Sequence, residues 1–259
     1  MISSKHKKKI PGTLFWASLI IVSFSQFQCA SGKRISGAEQ ADTLQTNREA
    51  AGTEIIFRFQ KGEYHNHPLM VIWTEDTDGD YIETLYVAES IGTGIFRHGQ
   101  ADKGKWKPGP IRRPAALPYW GHKRGFKAKD GLYIPDKDDP MPDAVTGATP
   151  QGSFILETKT SRKMTKPFVI LMEINQSWDW NKYWTNNKFP DDDQYKTSSQ
   201  PSVIYSAVVT PEGGSQTYEL EPAGHGHYSG KDGNLYEDLS TLTTALKIAD
   251  KVEVTIESR

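Results

Sequence analysis

The chain has 259 residues, with 31 Lys and Arg against 32 Asp and Glu and a formal net charge of −1. A length of this order is typical of one large domain or two small ones. The near balance of charge argues against nucleic acid as a partner, and the lone cysteine, Cys29, excludes an internal disulfide.

The N-terminus has the layout of a secretory signal. Four lysines between positions 5 and 9 precede an apolar run from Leu14 to Phe24, and Cys29 follows soon after. The run is too short for a comfortable membrane span. We therefore predict a signal peptide of lipoprotein type over residues 1–29, with Cys29 acylated, and export to the periplasm or outer membrane of a bacterium. The alternative is cleavage nearby without a lipid, for example after Gly32.

The mature chain is predicted to consist of a tether and one domain. Residues 30–52 are polar and small without periodicity, which is typical of a tether between the membrane and a folded part. Residues 53–259 are then a single domain. Removal of residues 1–29 leaves 27 basic and 32 acidic side chains, a net charge of −5, so the mature surface is mildly acidic.

From Thr53 onward the pattern is that of short strands. Apolar runs on both sides of the turn Asp76–Asp80 predict a hairpin, because Asp-Gly is a strong hairpin signal. Many short strands separated by turn residues predict an all-β, Ig-like sandwich with minor helix. The predicted strands are Glu54–Phe59, Leu69–Trp73, Tyr81–Val87, Ser153–Thr158, Phe168–Ile174, Val203–Thr210, Gln216–Glu221 and Lys251–Glu257. Two helices are predicted, over Pro114–Arg124 and Leu239–Ala249.

Seven residues carry the clearest functional signal. They read Asp143-Ala144-Val145-Thr146-Gly147-Ala148-Thr149 and follow a stretch rich in turn-forming residues. The segment resembles the acceptor motif of flavin transferases, which move FMN from FAD onto a protein Thr or Ser. The resemblance makes Thr149 the acceptor and implies a site formed with Asp143, Thr146, Gly147 and Ala148.

The residue types agree with an accessible loop. Gly147 permits backbone angles closed to other residues, and Pro150 restricts Thr149 to extended conformations. Asp143 is expected to orient the hydroxyl or to help hold the metal of the transferase. The alternative is an ordinary polar turn that leads into the next strand.

A longer resemblance covers the folded region. It is similar to a family of secreted bacterial proteins of unknown function with an Ig-like β domain, whose members often resemble partners of flavin-based electron transfer outside the cytoplasm. The matching stretches are His67–Val87, Arg112–Trp120, Asp143–Thr149 and Gln200–Tyr205.

Two histidine pairs are possible metal ligands. The pairs are His65 with His67 and His225 with His227. Four imidazoles are a suitable ligand set for zinc or copper. Nothing in the spacing fixes how the pairs meet, so unrelated histidines in loops or at sheet edges are the alternative.

An aromatic segment and a basic segment complete the candidates. The aromatic segment, Ser177–Thr185, contains Trp180 and Trp184, whose rings are suited to stack on an isoalloxazine ring or a sugar, or else to pin the loop to the sandwich. The basic segment joins Lys105–Lys107 to Arg112 and Arg113, and is predicted to attract a phosphate or an acidic partner, with solvated charges as the alternative.

These observations favour an exported flavoprotein. FMN attached by a transferase to Thr149 is predicted to carry electrons to or from a membrane redox protein, while a lipid at Cys29 holds the chain to the membrane. The chain is then an electron carrier or a binding protein rather than a stand-alone enzyme. The alternatives are a non-redox module that binds a glycan or a protein through the aromatic segment, and a metal-binding protein built on the histidines.

Overall fold

The computed structural model describes residues 41–257, which belong to one compact unit. The predicted signal peptide, Cys29 and residues 30–40 of the predicted tether lie outside this range. The strands are β1 (Asp42–Gln45), β2 (Glu54–Lys61), β3 (Leu69–Glu75), β4 (Tyr81–Ala88), β5 (Ile95–Asp102), β6 (Lys105–Pro110), β7 (Thr146–Gly147), β8 (Phe154–Lys159), β9 (Phe168–Asn175), β10 (Val203–Val209), β11 (Gln216–Glu219), β12 (Glu221–His225) and β13 (Ala249–Glu257). The helices are α1 (Glu89–Thr93), α2 (Pro118–Arg124) and α3 (Tyr195–Ser198). Within residues 41–257, no helix has the length and apolar character needed to cross a membrane.

The strands form a sandwich, which confirms the predicted all-β class with minor helix. A five-stranded sheet has the order β1-β8-β2-β13-β11, and a six-stranded sheet has the order β12-β10-β9-β3-β4-β7. Alternate side chains of the two sheets meet in the main core, where Phe57 and Val254 of the first sheet join Ile72 and Met172 of the second, all fully buried. This is the period-2 burial that a packed sandwich requires.

A third layer covers the outer face of the six-stranded sheet. Trp73, Val71 and Ile204 on that face pack against Leu117 and Trp120 of the segment that contains α2. α2 begins at Pro118 and not at the predicted Pro114. The physical reason is that a residue before proline disfavours the α conformation, so the helix does not extend back through Leu117.

The β5–β6 hairpin was not predicted from the sequence, and it lies outside the two sheets of the sandwich. β5 and β6 pair only with each other, in a two-stranded sheet. Their turn is Lys103-Gly104, and both residues have positive φ, at 50° and 76°. Two positive φ values are the mark of a type I′ turn, whose twist suits a two-residue hairpin.

The folded part starts earlier than the sequence predicted. β1 lies inside the predicted tether 30–52, and it pairs in parallel with β8, Asp42 opposite Phe154. After β1, buried Thr46 donates its hydroxyl to Leu85 O at 2.7 Å and so joins the two sheets. β1 escaped prediction because it is a four-residue edge strand with largely exposed positions and no apolar alternation.

Two further predictions need correction. Of the predicted helix Leu239–Ala249, only Ala245–Lys247 is helical, as a single 3₁₀ turn, and β13 begins at Ala249. Threonines in this stretch bond to other loops, as Thr241 does to Trp184, and such side-chain bonds compete with helix formation. The predicted strand Gln216–Glu221 is divided into β11 and β12, which belong to different sheets.

Candidate functional site

The acceptor segment is anchored along its backbone. Asp143–Val145 forms a single 3₁₀ turn, and β7 then pairs in parallel with β4. Asn47 N donates to Ala144 O at 3.0 Å, and Tyr86 Oη donates to Ala148 O at 2.9 Å. Thr146 and Gly147 are therefore a two-residue edge strand within the segment, and Ala148 and Thr149 follow it outside regular structure.

Thr149 follows this anchored segment. Thr149 is half-buried, and the next residue, Pro150, is buried. Thr149 O accepts a bond from Gln151 Nε2 at 3.1 Å, while Thr149 Oγ1 forms no hydrogen bond with any other residue between 41 and 257. A hydroxyl without an internal partner loses no protein contact when it is esterified.

The residues around Thr149 make specific packing contacts and hydrogen bonds. A Cβ added at Gly147 would lie 2.8 Å from Cε2 of Tyr86, so the strand needs glycine to pack on that ring. Thr146 donates its hydroxyl to Asp143 O at 3.4 Å, and the Asp143 carboxylate is exposed. Tyr86 is fully buried, and burial raises the pKa of its hydroxyl, which keeps it a donor at neutral pH.

The site lies at the seam of the sandwich. β7 is one edge of the six-stranded sheet and β1 is one edge of the five-stranded sheet. Asn47, just after β1, bonds to Ala144, just before β7, so the two edges lie on the same side of the molecule. The acceptor segment thus closes the gap between the sheets.

Trp184 belongs to the protein core. It is 7% exposed, its ring lies 6.3 Å from Tyr195 and 5.9 Å from Tyr228, and its Nε1 donates to Thr241 Oγ1 at 3.1 Å. The ring also meets His225 edge-on at 6.3 Å. His225 ends β12, the edge of the six-stranded sheet opposite β7, and five strand spacings amount to about 24 Å. The structure therefore does not bring Trp184 to Thr149.

The rest of the aromatic segment faces solvent. Trp178, Trp180 and Tyr183 are 63%, 55% and 53% exposed. Trp180 lies between Asp179 and Asn181, whose side chains bond to Thr244 and Thr241. Trp180 is thus on the same side of the molecule as Trp184, and it too is not placed beside the acceptor.

The histidine pairs stay apart. His225 lies on β12, and β3, the strand that follows His67, is three strands away in the same sheet, beyond β10 and β9. Three strand spacings amount to about 14 Å. Burial lowers the pKa of both His225 and His227. Among residues 41–257 no group of three or more His, Cys, Asp or Glu is placed to bind a metal ion.

Comparison with known proteins adds no relative. No family model, curated protein or solved structure matches the chain. The resemblance to secreted Ig-like proteins and to flavin acceptors therefore stays a prediction.

A buried acid escaped the sequence analysis. Glu173, on β9, is fully buried beneath the start of α2. Its carboxylate accepts bonds from Trp120 N at 2.8 Å, Tyr119 N at 3.2 Å and Ser202 Oγ at 2.5 Å. Burial raises the pKa of Glu173 to about 7. The available signal was an acid within the otherwise apolar run Phe168–Ile174.

The residues of the predicted basic segment lie in two different environments. Arg112 forms an ion pair with Asp130 at 2.6 Å, and Arg113 bonds to Ser177 and lies over the ring of Phe96. These two arginines serve internal contacts. The two lysines of the segment, Lys105 and Lys107, lie on β6 of the β5–β6 hairpin.

Proposed function

We propose that the protein is an exported flavoprotein that carries FMN in ester linkage on Thr149 and takes part in electron transfer outside the cytoplasm. The observation that carries this proposal is the complete motif Asp143–Thr149, whose last residue is half-buried and whose hydroxyl forms no hydrogen bond within residues 41–257. The residues present fit the linkage, since esterification removes no contact that the fold needs.

The attachment is a balanced group transfer. Thr149 Oγ1 attacks the FMN-side phosphorus of FAD, the pyrophosphate bond breaks, AMP leaves, and the hydroxyl proton passes to a base of the flavin transferase. Bound FMN accepts and donates electrons. The contribution of this chain is to hold the acceptor strand, through Tyr86 and Asn47, in one position at the seam of the sandwich.

Modification of Thr149 is the direct test. Co-expression with a flavin transferase and FAD in a bacterial periplasm should add the mass of one FMN to the wild type and to Thr149→Ser, because both retain a hydroxyl. Thr149→Ala should remain unmodified. The proposal fails if the wild type gains no mass while a known acceptor domain, expressed in parallel, is modified.

Anchoring through Cys29 is a separate prediction. The mature protein should partition with membranes and incorporate a palmitate analogue in the native type of host, and Cys29→Ala should abolish incorporation. A wild type that stays unlabelled and soluble would exclude the lipid but not export.

The exposed aromatic segment supports one alternative. Trp178, Trp180 and Tyr183 present three large rings to solvent, and such rings suit a glycan or a protein partner. This non-redox binding function is favoured if the protein purified from its native host shows no flavin absorbance and no FMN adduct by intact mass.

A further inference from the structure

The β5–β6 hairpin carries a basic and aromatic tip. Its base is fixed by Phe96, which packs in the outer core, while residues 100–108 are exposed. Trp106 is 67% exposed. Lys103 and Lys105 have no acidic partner among residues 41–257, and Lys107 shares only an exposed ion pair with Asp102 at 3.3 Å.

The charge of the described chain is divided very unevenly. Residues 95–129 contain ten Lys and Arg and a single acid, Asp102, whereas the remaining residues of 41–257 contain 14 basic and 30 acidic side chains. Several of the ten bases, such as Arg112 and Lys123, are engaged in internal ion pairs. Four of the ten bases, Arg97, Lys103, Lys105 and Lys107, lie on the hairpin with Asp102 as its one acid, so the hairpin is net positive, whereas the described residues outside 95–129 carry a net negative charge.

We propose that the β5–β6 hairpin binds the anionic headgroups of a lipid bilayer and orients the domain on it. Lysines beside a negatively charged membrane contribute about 1 kcal/mol each, and tryptophan favours the interface between headgroups and acyl chains. The acidic remainder of the domain is repelled by the same surface, so attraction and repulsion select one orientation. The inference does not depend on the flavin at Thr149.

The size of the tip distinguishes a bilayer from an acidic protein. A stable protein interface buries about 800 Å² on each partner, which needs a broad face. The tip presents a two-residue turn with the ends of two strands, and Trp106 and Lys105 point to opposite faces of this ribbon because adjacent strand residues alternate. A bilayer that the tip enters can contact both faces of the ribbon, whereas a folded protein partner would contact only one face.

The test uses a probe on the hairpin, so that binding through the N-terminus does not obscure it. Full-length protein with Cys29→Ser and Ala101→Cys is labelled at position 101 with an environment-sensitive dye; Ala101 is exposed and pairs with Trp106. Vesicles rich in phosphatidylglycerol should shift the dye emission to the blue and shield the dye from an aqueous quencher. Phosphatidylcholine vesicles should not, and high salt should reverse the shift.

Matched charge variants decide the contribution of the lysines. Lys103→Gln with Lys105→Gln should require about 30-fold more anionic lipid for the same shift. Lys166→Gln with Lys182→Gln removes two exposed lysines elsewhere and should leave the titration unchanged. The proposal is wrong if the dye keeps its aqueous emission while the protein is vesicle-bound, or if soluble polyglutamate gives the response and the anionic vesicles do not. Equal weakening by both double variants would also overturn it.

Discussion

Trp184→Ala should lower the free energy of unfolding by about 3–5 kcal/mol, the usual cost of truncating a buried tryptophan. The ring is 7% exposed and contacts Tyr195, Tyr228 and His225. Its loss opens a cavity between these rings and leaves Thr241 without the Nε1 donor. Urea unfolding followed by circular dichroism measures the effect.

Trp180→Ala is the matched control for that measurement. Trp180 belongs to the same segment but is 55% exposed, so its truncation should change the unfolding free energy by less than about 0.5 kcal/mol. In FMN-loaded protein, neither substitution should alter flavin emission, since both rings lie away from Thr149. A Trp184→Ala protein as stable as the wild type, or brighter flavin emission in it, would contradict this placement.

The protonation of Glu173 should make stability fall as pH rises. The pKa of this buried carboxyl is raised from 4.5 to about 7 in the folded protein, so between these two values the native state binds the proton more tightly than the unfolded chain. Stability from this group is then complete below about pH 4.5 and is lost by about pH 7. The pKa difference corresponds to about 3 kcal/mol.

Glu173→Gln isolates this contribution from those of other groups. The amide oxygen can accept from Trp120 N while its NH₂ donates to Ser202 Oγ, which replaces two bonds of the carboxyl without a titrating proton. As pH falls from 7 to 4.5, the unfolding free energy of the wild type should rise by about 3 kcal/mol relative to that of the variant. Parallel pH profiles for the two proteins would show that Glu173 does not titrate in this range.

The strands could be predicted where burial alternates. In β2, Ile55, Phe57 and Phe59 face the core and Arg58 faces solvent, and this period of two is visible in the sequence. β1 and the β5–β6 hairpin lack such alternation because most of their residues are exposed on both faces. Their pairing is set by long-range contacts and by turn geometry, which a local pattern does not encode.

The candidate site was only partly predictable for a similar reason. The role proposed for Thr149 is suggested by seven adjacent residues, but the anchoring of that segment depends on Tyr86 and Asn47, which are distant in the chain. The sequence left open whether Trp184 stacks on a flavin or pins its loop to the sandwich, because residue type alone does not indicate position. The order of strands in the sheet places it at the opposite edge, and that order follows from pairings between remote segments.

The edges of both sheets are built from the shortest strands. β1 and β11 have four residues each, β12 has five and β7 has two, whereas the strands between them have six to nine. An edge offers unpaired N–H and C=O groups to any other extended chain, and the length of that edge sets how many it offers. The two sheets of the sandwich therefore present little template for strand addition, which limits edge-to-edge pairing of the sandwich where many copies are crowded together.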